Sequence, residues 1–388
     1  MHVPRRRFIA ATSALFAGAA IPDVFSAGKS TGATDALDSA ALDGLLDSAM
    51  ADRSSPAVSL AVWQDGRERY ARSVGMANLE TSTPASSDSA FRIGSLTKQF
   101  AAGAILKLVD ARELSLDDKA GRFLPSFGSH PSFTIRELLN HTAGLHEEAD
   151  VSIASASSQV ELADRIAKQA TTFDFEPGGA WLYSNANYIV IGAIIEKVTG
   201  TPLATAARAL LLHPLDLHRS AFDDASEVVA GRASGYSPTE SGTPPFVNAM
   251  HLDVTQAGAA GAMRSTVRDL CRWHDALFSG RVVAPSSLTA MITPGKLRDG
   301  RNSSEHRFSE RDSAMGETQY GLGLFLDRST RDGSLIVQHH GGIAGFTAFL
   351  ATHVPSRLTY ACLFNVDGHP GLPLRGIRRS VFRHLLKP

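Results

Sequence analysis

Cysteine is almost missing from this chain: two residues, Cys271 and Cys362, among 388. With one in a helix-like and the other in a strand-like segment, they read as two buried thiols rather than a disulfide framework. A surplus of charge is missing too. Lysine and arginine number 38 against 39 aspartates and glutamates, and without a basic excess a nucleic-acid partner is not expected. No apolar run is long enough to span a membrane: Phe8 to Ile21 is too short and too rich in alanine. There is no internal repeat. Metal-ligand spacing is also lacking, since His141 with His146, the pair His339 and His340, and Cys271-Arg272-Trp273-His274 form no paired ligand pattern. Neither a metal nor a cofactor is expected.

What is present is enough apolar material, 43%, for the large core of a soluble globular protein. Arg5-Arg6-Arg7 precedes the moderately apolar Phe8–Ile21, the pattern of a twin-arginine (Tat-type) export signal over residues 1–27. Cleavage is expected between about Ala20 and Ser30, leaving a periplasmic or secreted protein. Residues 28–40, rich in Gly, Ser, Thr, Asp and Ala, read as a linker. Gly28-Lys29-Ser30-Thr31-Gly32 within it spells Gly-x-Ser-x-Gly and the tail of a phosphate loop. Both readings fail on context, because no strand precedes it and Asp23 stands where the upstream loop glycine belongs.

The domain then fills residues 41–388. Leu37 to Ala51 patterns as a helix, and Ala57–Trp63 and Arg69–Val74 as strands around Gln64-Asp65-Gly66. Helical patterns dominate from Ser95 to about Leu277, short strands return from Tyr320, and Arg375–Leu386 closes as a helix. Strands at both ends with helices between predict an α+β domain. Its ends, about residues 41–92 and 318–388, meet in one sheet, with a mostly helical portion of about 93–317 inserted. Arg298–Asp312, dense in charge and without apolar period, reads as a solvated loop.

Three segments carry chemistry. In Ser95-Leu96-Thr97-Lys98, serine and lysine lie three apart at a helix start and share a face, so an unprotonated Lys98 can take the Ser95 proton. The backbone N–H of Ser95, at a helix N-terminus, can point at a developing oxyanion. Taken alone the spacing is weak, since a capping serine and a solvated lysine produce it too, and Ser26 to Lys29 repeats it. The second segment is Tyr183-Ser184-Asn185, after a Pro-Gly turn and before a helix Tyr188–Thr199; two residues apart on extended chain, Tyr183 and Asn185 can point the same way. The third is the strand-like Leu335–Gly342, containing His339-His340-Gly341-Gly342.

In this order the three segments resemble the catalytic set of the serine beta-lactamase and penicillin-binding protein superfamily, most closely its class C-like branch of esterases, D-aminopeptidases and D-alanyl carboxypeptidases. Thr134–Leu145, Phe175–Gly192, Ala259–Leu270, Tyr320–Leu324 and His339–Phe346 extend the likeness over nearly the whole chain from about residue 40. The resemblance implies a beta-lactamase-like fold, an antiparallel sheet flanked by helices with a mostly helical inserted subdomain. It implies Ser95 as nucleophile, Lys98 and Tyr183 as the proton-transfer couple, and Asn185 holding Lys98 and bonding the substrate's acyl side chain. The N–H of Gly342 joins that of Ser95 as oxyanion donor, and His141 hydrogen-bonds structurally. For Lys98 to act as base its pKa must fall about three units from about 10.4, a cost of roughly 4 kcal/mol, supplied by burial and a neighbouring cation.

The third motif departs from the family, which usually carries Lys-Thr-Gly or Lys-Ser-Gly there. Strand alternation puts His339 at the lysine position, lining the cleft, with His339 and Gly341 assigned to substrate binding. Histidine is largely neutral at pH 7, so it anchors a carboxylate weakly, and it is expected to gain a proton and quicken acylation by anionic substrates near pH 6. The reading is therefore an exported serine hydrolase cleaving an ester, amide or D-amino-acid peptide bond through a Ser95 acyl-enzyme. A class C-type beta-lactamase or D-alanyl-D-alanine carboxypeptidase is the rival enzyme, and a penicillin-binding sensor without turnover the rival of another class. Small molecules or peptides are the expected partners, peptidoglycan fragments and beta-lactams included.

Overall fold

The computed structural model describes residues 37–146, 158–313, 315–316 and 318–386. The expected export signal and residues 28–36 of the expected linker lie outside the described residues. Helix α1 (Ser39–Ala51) starts at Asp38, whose carboxylate accepts the Ala41 N–H at 3.0 Å and so caps an orphan donor. Its face of Leu42, Leu46 and Ala49 is buried.

Eight strands form one sheet: β1 (Ala57–Gln64), β2 (Arg67–Asn78), β3 (Thr83–Pro84), β4 (Gln319–Tyr320), β5 (Phe325–Arg328), β6 (Leu335–Ile343), β7 (Phe346–His353) and β8 (Leu358–Phe364). Their order is β3-β2-β1-β8-β7-β6-β5-β4, and every neighbouring pair is antiparallel. The chain ends meet at β1 and β8, where Val58 pairs with Phe364 and Gln64 with Leu358. Alternation sends Val58, Leu60 and Val62 to one face, packed with Leu42 and Leu46 of α1 and with Ile377 and Val381 of α5 (Leu374–Val381). Ala61 faces the other way, toward α4 (Val267–Phe278), where it accepts a 3.7 Å contact from Cys271 Sγ through its carbonyl. Helices therefore cover both faces, and β1 is buried from Ala57 to Val62, apolar except at Ser59. Cys271 and Cys362 are both buried free thiols, held in different core clusters.

Between the strand-bearing ends, α2 (Thr97–Asp110) and α3 (Asn185–Thr199) form the centre of the larger core. Every residue from Thr97 to Leu106 in α2, and from Ala186 to Ile195 in α3, is buried, as expected of a helix enclosed on all sides. This stretch is not purely helical. Phe91–Arg92, Met263–Ser265 and Ala221–Phe222 make a three-stranded sheet, and Tyr236–Pro238 pairs with Phe246–Asn248. The closing helix α5 ends at Val381, short of Leu386.

Candidate active site

Gly94–Leu96 is a 3₁₀ turn that leads directly into α2, placing Ser95 half-buried at its head and Lys98 fully buried one turn on. Two glycines let β6 close onto this turn. A β-carbon on Gly341 would stand 2.0 Å from the Ile93 carbonyl oxygen and 3.1 Å from the Ser95 nitrogen. One on Gly94, whose φ is +50°, would stand 2.7 Å from the Gly342 carbonyl oxygen and 2.9 Å from its nitrogen. Such contacts exclude any side chain at either position, and they bring the backbone of Ser95 against that of Gly341 and Gly342.

Lys98 Nζ lies 3.1 Å from Ser95 Oγ, 2.8 Å from Asn185 Oδ1 and 2.8 Å from the carbonyl oxygen of Ala260. Burial holds its pKa well below the ordinary lysine value, with no cation needed to lower it. This geometry has a chemical consequence. Asn185 Oδ1 and the Ala260 carbonyl can only accept, so a neutral Lys98 gives them its two N–H bonds and turns its lone pair to the Ser95 hydroxyl. Nζ also sits 4.8 Å from the Tyr183 ring centroid and 5.5 Å from that of Tyr188.

Tyr183 and Ser184 are extended, but α3 begins at Asn185, three residues before the expected Tyr188; extended Ser184 (φ −134°, ψ 128°) occupies the N-cap position. Asn185 thus reaches Lys98 from the first turn of a helix. Behind it lies His141, fully buried with φ +64°. Its Nδ1 accepts from the Ser184 N–H (3.2 Å) and from Asn187 Nδ2 (3.1 Å), so the ring proton sits on Nε2. His141 also packs, tilted or edge-on, among Tyr183, Tyr188, Trp181 and Tyr320 at centroid distances of 4.5 to 5.8 Å. The expected solvated loop Arg298–Asp312 is exposed over much of its length, as at residues 298–301, but it also walls the site. Trp181 exchanges backbone bonds with His306 and Phe308 (both 2.9 Å), Arg298 pairs with Glu137 at 2.7 Å, and Asp312, 1% exposed, accepts the Tyr183 N–H at 3.2 Å. Arg298 and Asp312 meet partners distant in sequence, which a local charge count does not register, whereas Asp299, Arg301 and Glu305 are exposed and bond within the loop.

The third motif alternates as expected, His339 inward and His340 outward, but the inward position is sealed. His339 is fully buried beside Phe325, Tyr320 and Tyr183, with ring centroids at 4.9, 5.9 and 6.3 Å. Its Nδ1 donates to the His340 carbonyl (2.6 Å), leaving Nε2 to accept from Tyr320 Oη (3.2 Å). Burial, then the neighbouring His340 and Lys98, push its pKa well below the ordinary histidine value. The expectation that His339 gains a proton near pH 6 and reads a carboxylate is thereby corrected: the imidazole is a neutral partner of Tyr320. Acylation by an anionic substrate should show no rise between pH 7 and about 5.5; such a rise, absent for a matched neutral ester, would contradict this placement. Gly341, expected to bind substrate, packs against the Ile93–Ser95 turn, where no side chain fits; the exposed Gly342 follows it.

Asp312, the Ala260 carbonyl and Tyr320 are parts of this site that no sequence motif assigns to it. Ala260 and Tyr320 lie inside segments already singled out for resemblance, whereas nothing local marks Asp312. Among the described residues, no group of three or more His, Cys, Asp and Glu is placed to hold a metal ion, and no single helix is long and apolar enough to cross a membrane.

Comparison with known proteins places this geometry. The beta-lactamase family model matches residues 42–380. Penicillin-binding protein 4* of Bacillus subtilis (strain 168) is 27% identical over 316 residues, covering 77% of this chain and 65% of that protein. Esterase EstB of Burkholderia gladioli is 34% identical over 201 residues, covering 47% of this chain and 51% of that protein. Among solved structures, a D-stereospecific amidohydrolase from Streptomyces sp. aligns with a TM-score of 0.71 at 26% identity, over 88% of this chain and 98% of that one. The chain spans about half to two-thirds of the length of these two curated relatives.

Proposed function

Because the chain belongs to the beta-lactamase family, we propose that it is a serine hydrolase that cleaves an ester, amide or D-amino-acid peptide bond through an acyl-enzyme on Ser95. The observation that carries this reading is the triple contact of Lys98 Nζ, whose two obligate acceptors turn a neutral amine's lone pair toward Ser95 Oγ. Lys98 takes the hydroxyl proton as Oγ bonds to the substrate carbonyl carbon, and the N–H groups of Ser95 and Gly342 receive the developing oxyanion. Tyr183, beside Nζ, relays the proton to the leaving group as the scissile bond breaks. Water then attacks the ester on Ser95, with the same couple removing its proton, and releases the acid. The named activities of the esterase and amidohydrolase relatives support an ester or D-aminoacyl amide as substrate. Export through a twin-arginine route belongs to the same proposal and rests on Arg5–Arg7 and the run after them; full-length protein starting at Met1 in the cytoplasm of the native cell would count against it.

Substrate class is tested with a short-chain aryl ester, a D-aminoacyl anilide and nitrocefin on the purified protein. Ester or anilide turnover should exceed that of nitrocefin, because the buried neutral His339 supplies no cation for the lactam carboxylate. Faster nitrocefin hydrolysis would favour a beta-lactamase, and a lasting penicilloyl adduct without repeated turnover would favour a sensor. Lys98→Met and Tyr183→Phe should each slow acylation by about 10²- to 10⁴-fold, the usual range for a removed proton-transfer group, with little change in binding. A change confined to the Michaelis constant would withdraw the base assignment.

A further inference from the structure

A cavity of ≈ 280 Å³ opens between the Phe91–Arg92 strand, the chain from Arg232 to Leu252, and the turn that joins β6 to β7. Its wall carries three guanidinium groups on one carboxylate. Asp223, whose side chain is 1% exposed, receives Arg92 Nε at 2.9 Å on one oxygen, and Arg232 Nη2 and Arg264 Nη1, each at 3.1 Å, on the other. Glu227 takes the second terminal nitrogen of Arg264 at 2.9 Å, and the Asp224 carbonyl accepts from Arg232 at 2.7 Å. Arg92 uses only Nε in this network. Its side chain is 18% exposed, yet among the described residues its two terminal nitrogens have no hydrogen-bond partner.

An arginine cannot lose its charge, and a planar fork left open in a partly desolvated cavity matches a carboxylate bidentately. Asp223 and Glu227 together offset two of the three cations, and the charge left over sits beside the open fork of Arg92, so the enclosed space favours an anion. Its place in the chain says which part of a substrate would bring one. Arg92 is three residues before Ser95 and Ala344, also in the wall, is two after Gly342, so the wall lies within about 11 Å of chain from the first and about 8 Å from the second. His339, in the middle of β6 and beside the Tyr183 ring, lies on the other side of Gly342 from Ala344, three residues or about 10 Å of strand from Gly342. A leaving group protonated by Tyr183 departs toward that side. The acyl part held on Ser95 extends toward the arginines.

Resting on the acyl-enzyme reading above, we propose that this cavity binds a carboxylate carried on the acyl portion of the substrate. This recognition lies on the acyl side of Ser95, apart from the third motif, where histidine stands in place of lysine and supplies no cation. The test uses p-nitrophenyl hexanoate and the mono-p-nitrophenyl ester of adipic acid, which differ only by carboxylate in place of the terminal methyl. The ratio of kcat/KM for the adipate ester to that for the hexanoate ester should fall about tenfold or more in Arg92→Gln and in Arg232→Gln, and recover in part in Arg232→Lys. It should also fall on raising salt to about 0.5 M in the wild type. A ratio unchanged in both glutamine variants, or restored no better by lysine than by glutamine, would overturn the proposal.

Should the variants fail to fold, adipate monoamide and hexanamide, which again differ only by the distal carboxylate, are compared as inhibitors of the wild-type enzyme with the hexanoate ester as substrate. Tighter inhibition by adipate monoamide, lost with salt, supports the site, and equal inhibition by the two overturns it. Failure of the acyl-enzyme reading shows separately, as ester hydrolysis that survives Ser95→Ala; adipate monoamide binding to that variant, measured by calorimetry, then still decides whether the cavity takes a carboxylate.

Discussion

Replacing Ser95 by alanine is expected to abolish turnover, with a loss on the order of 10⁴- to 10⁶-fold, the scale seen when a hydrolase loses its covalent nucleophile. The side chain removed is half-buried at the head of α2, and its Oγ is one of three partners of Lys98 Nζ. Asn185 and the Ala260 carbonyl remain, so the change in stability should stay within about 1.5 kcal/mol, the net value of one hydrogen bond. Activity and folding are thereby separable: the variant should unfold almost where the wild type does, yet take no label from a fluorophosphonate. The other Ser-x-x-Lys, Ser26 to Lys29, falls in the expected signal and linker. Residual activity above about a few per cent after correction for contaminating hydrolase would place the nucleophile elsewhere.

Why Ser95 and Lys98 are legible from sequence, and His339 is not, comes down to the range over which each contact is decided. Serine and lysine three apart on a helix meet by helical geometry alone, and α2 provides it. The meeting of the chain ends followed from strand patterns at each end, and β1 pairs with β8 across some 300 residues of sequence. Alternation correctly set His339 and His340 on opposite faces. Whether the inward face opens on solvent or on protein depends on what packs there, and Tyr320, Phe325 and Tyr183 come from elsewhere in the chain. The same reason hid Asp312 on the Tyr183 backbone and Asp223 between three arginines. Both sit in polar stretches where a local count of charge predicts solvent. The early start of α3 was masked by Ser184-Asn185, residues that favour turns and caps over helix interiors.

Between pH 7 and pH 5 the folded protein should lose about 2 kcal/mol of stability for each histidine it keeps neutral by complete burial. His141, His274 and His339 are each fully buried. Burial pushes His274 down to about 3, and holds His141 and His339 well below the ordinary value with added repulsion from Lys98. In the unfolded chain each titrates near 6.5, so below that pH the unfolded state binds protons that the native state refuses. Stability is then complete above about 6.5 and falls by about 1.4 kcal/mol per pH unit per histidine as the pH drops toward the native values. Three such groups amount to about 6 kcal/mol at pH 5, a large part of the 5–15 kcal/mol that holds an ordinary domain together. His274 isolates the effect without touching the catalytic cluster. Its Nδ1 meets Thr352 Oγ1 and its Nε2 meets Gln99 Oε1, both at 2.7 Å. Glutamine there retains a donor and an acceptor but cannot titrate, so His274→Gln should flatten the loss between pH 7 and pH 5 by roughly a third, even if its stability at pH 7 is lower. Urea unfolding of both proteins at the two pH values measures this. Equal losses in wild type and variant would show that His274 takes up its proton without unfolding, and with it would go the argument that burial alone keeps this imidazole neutral.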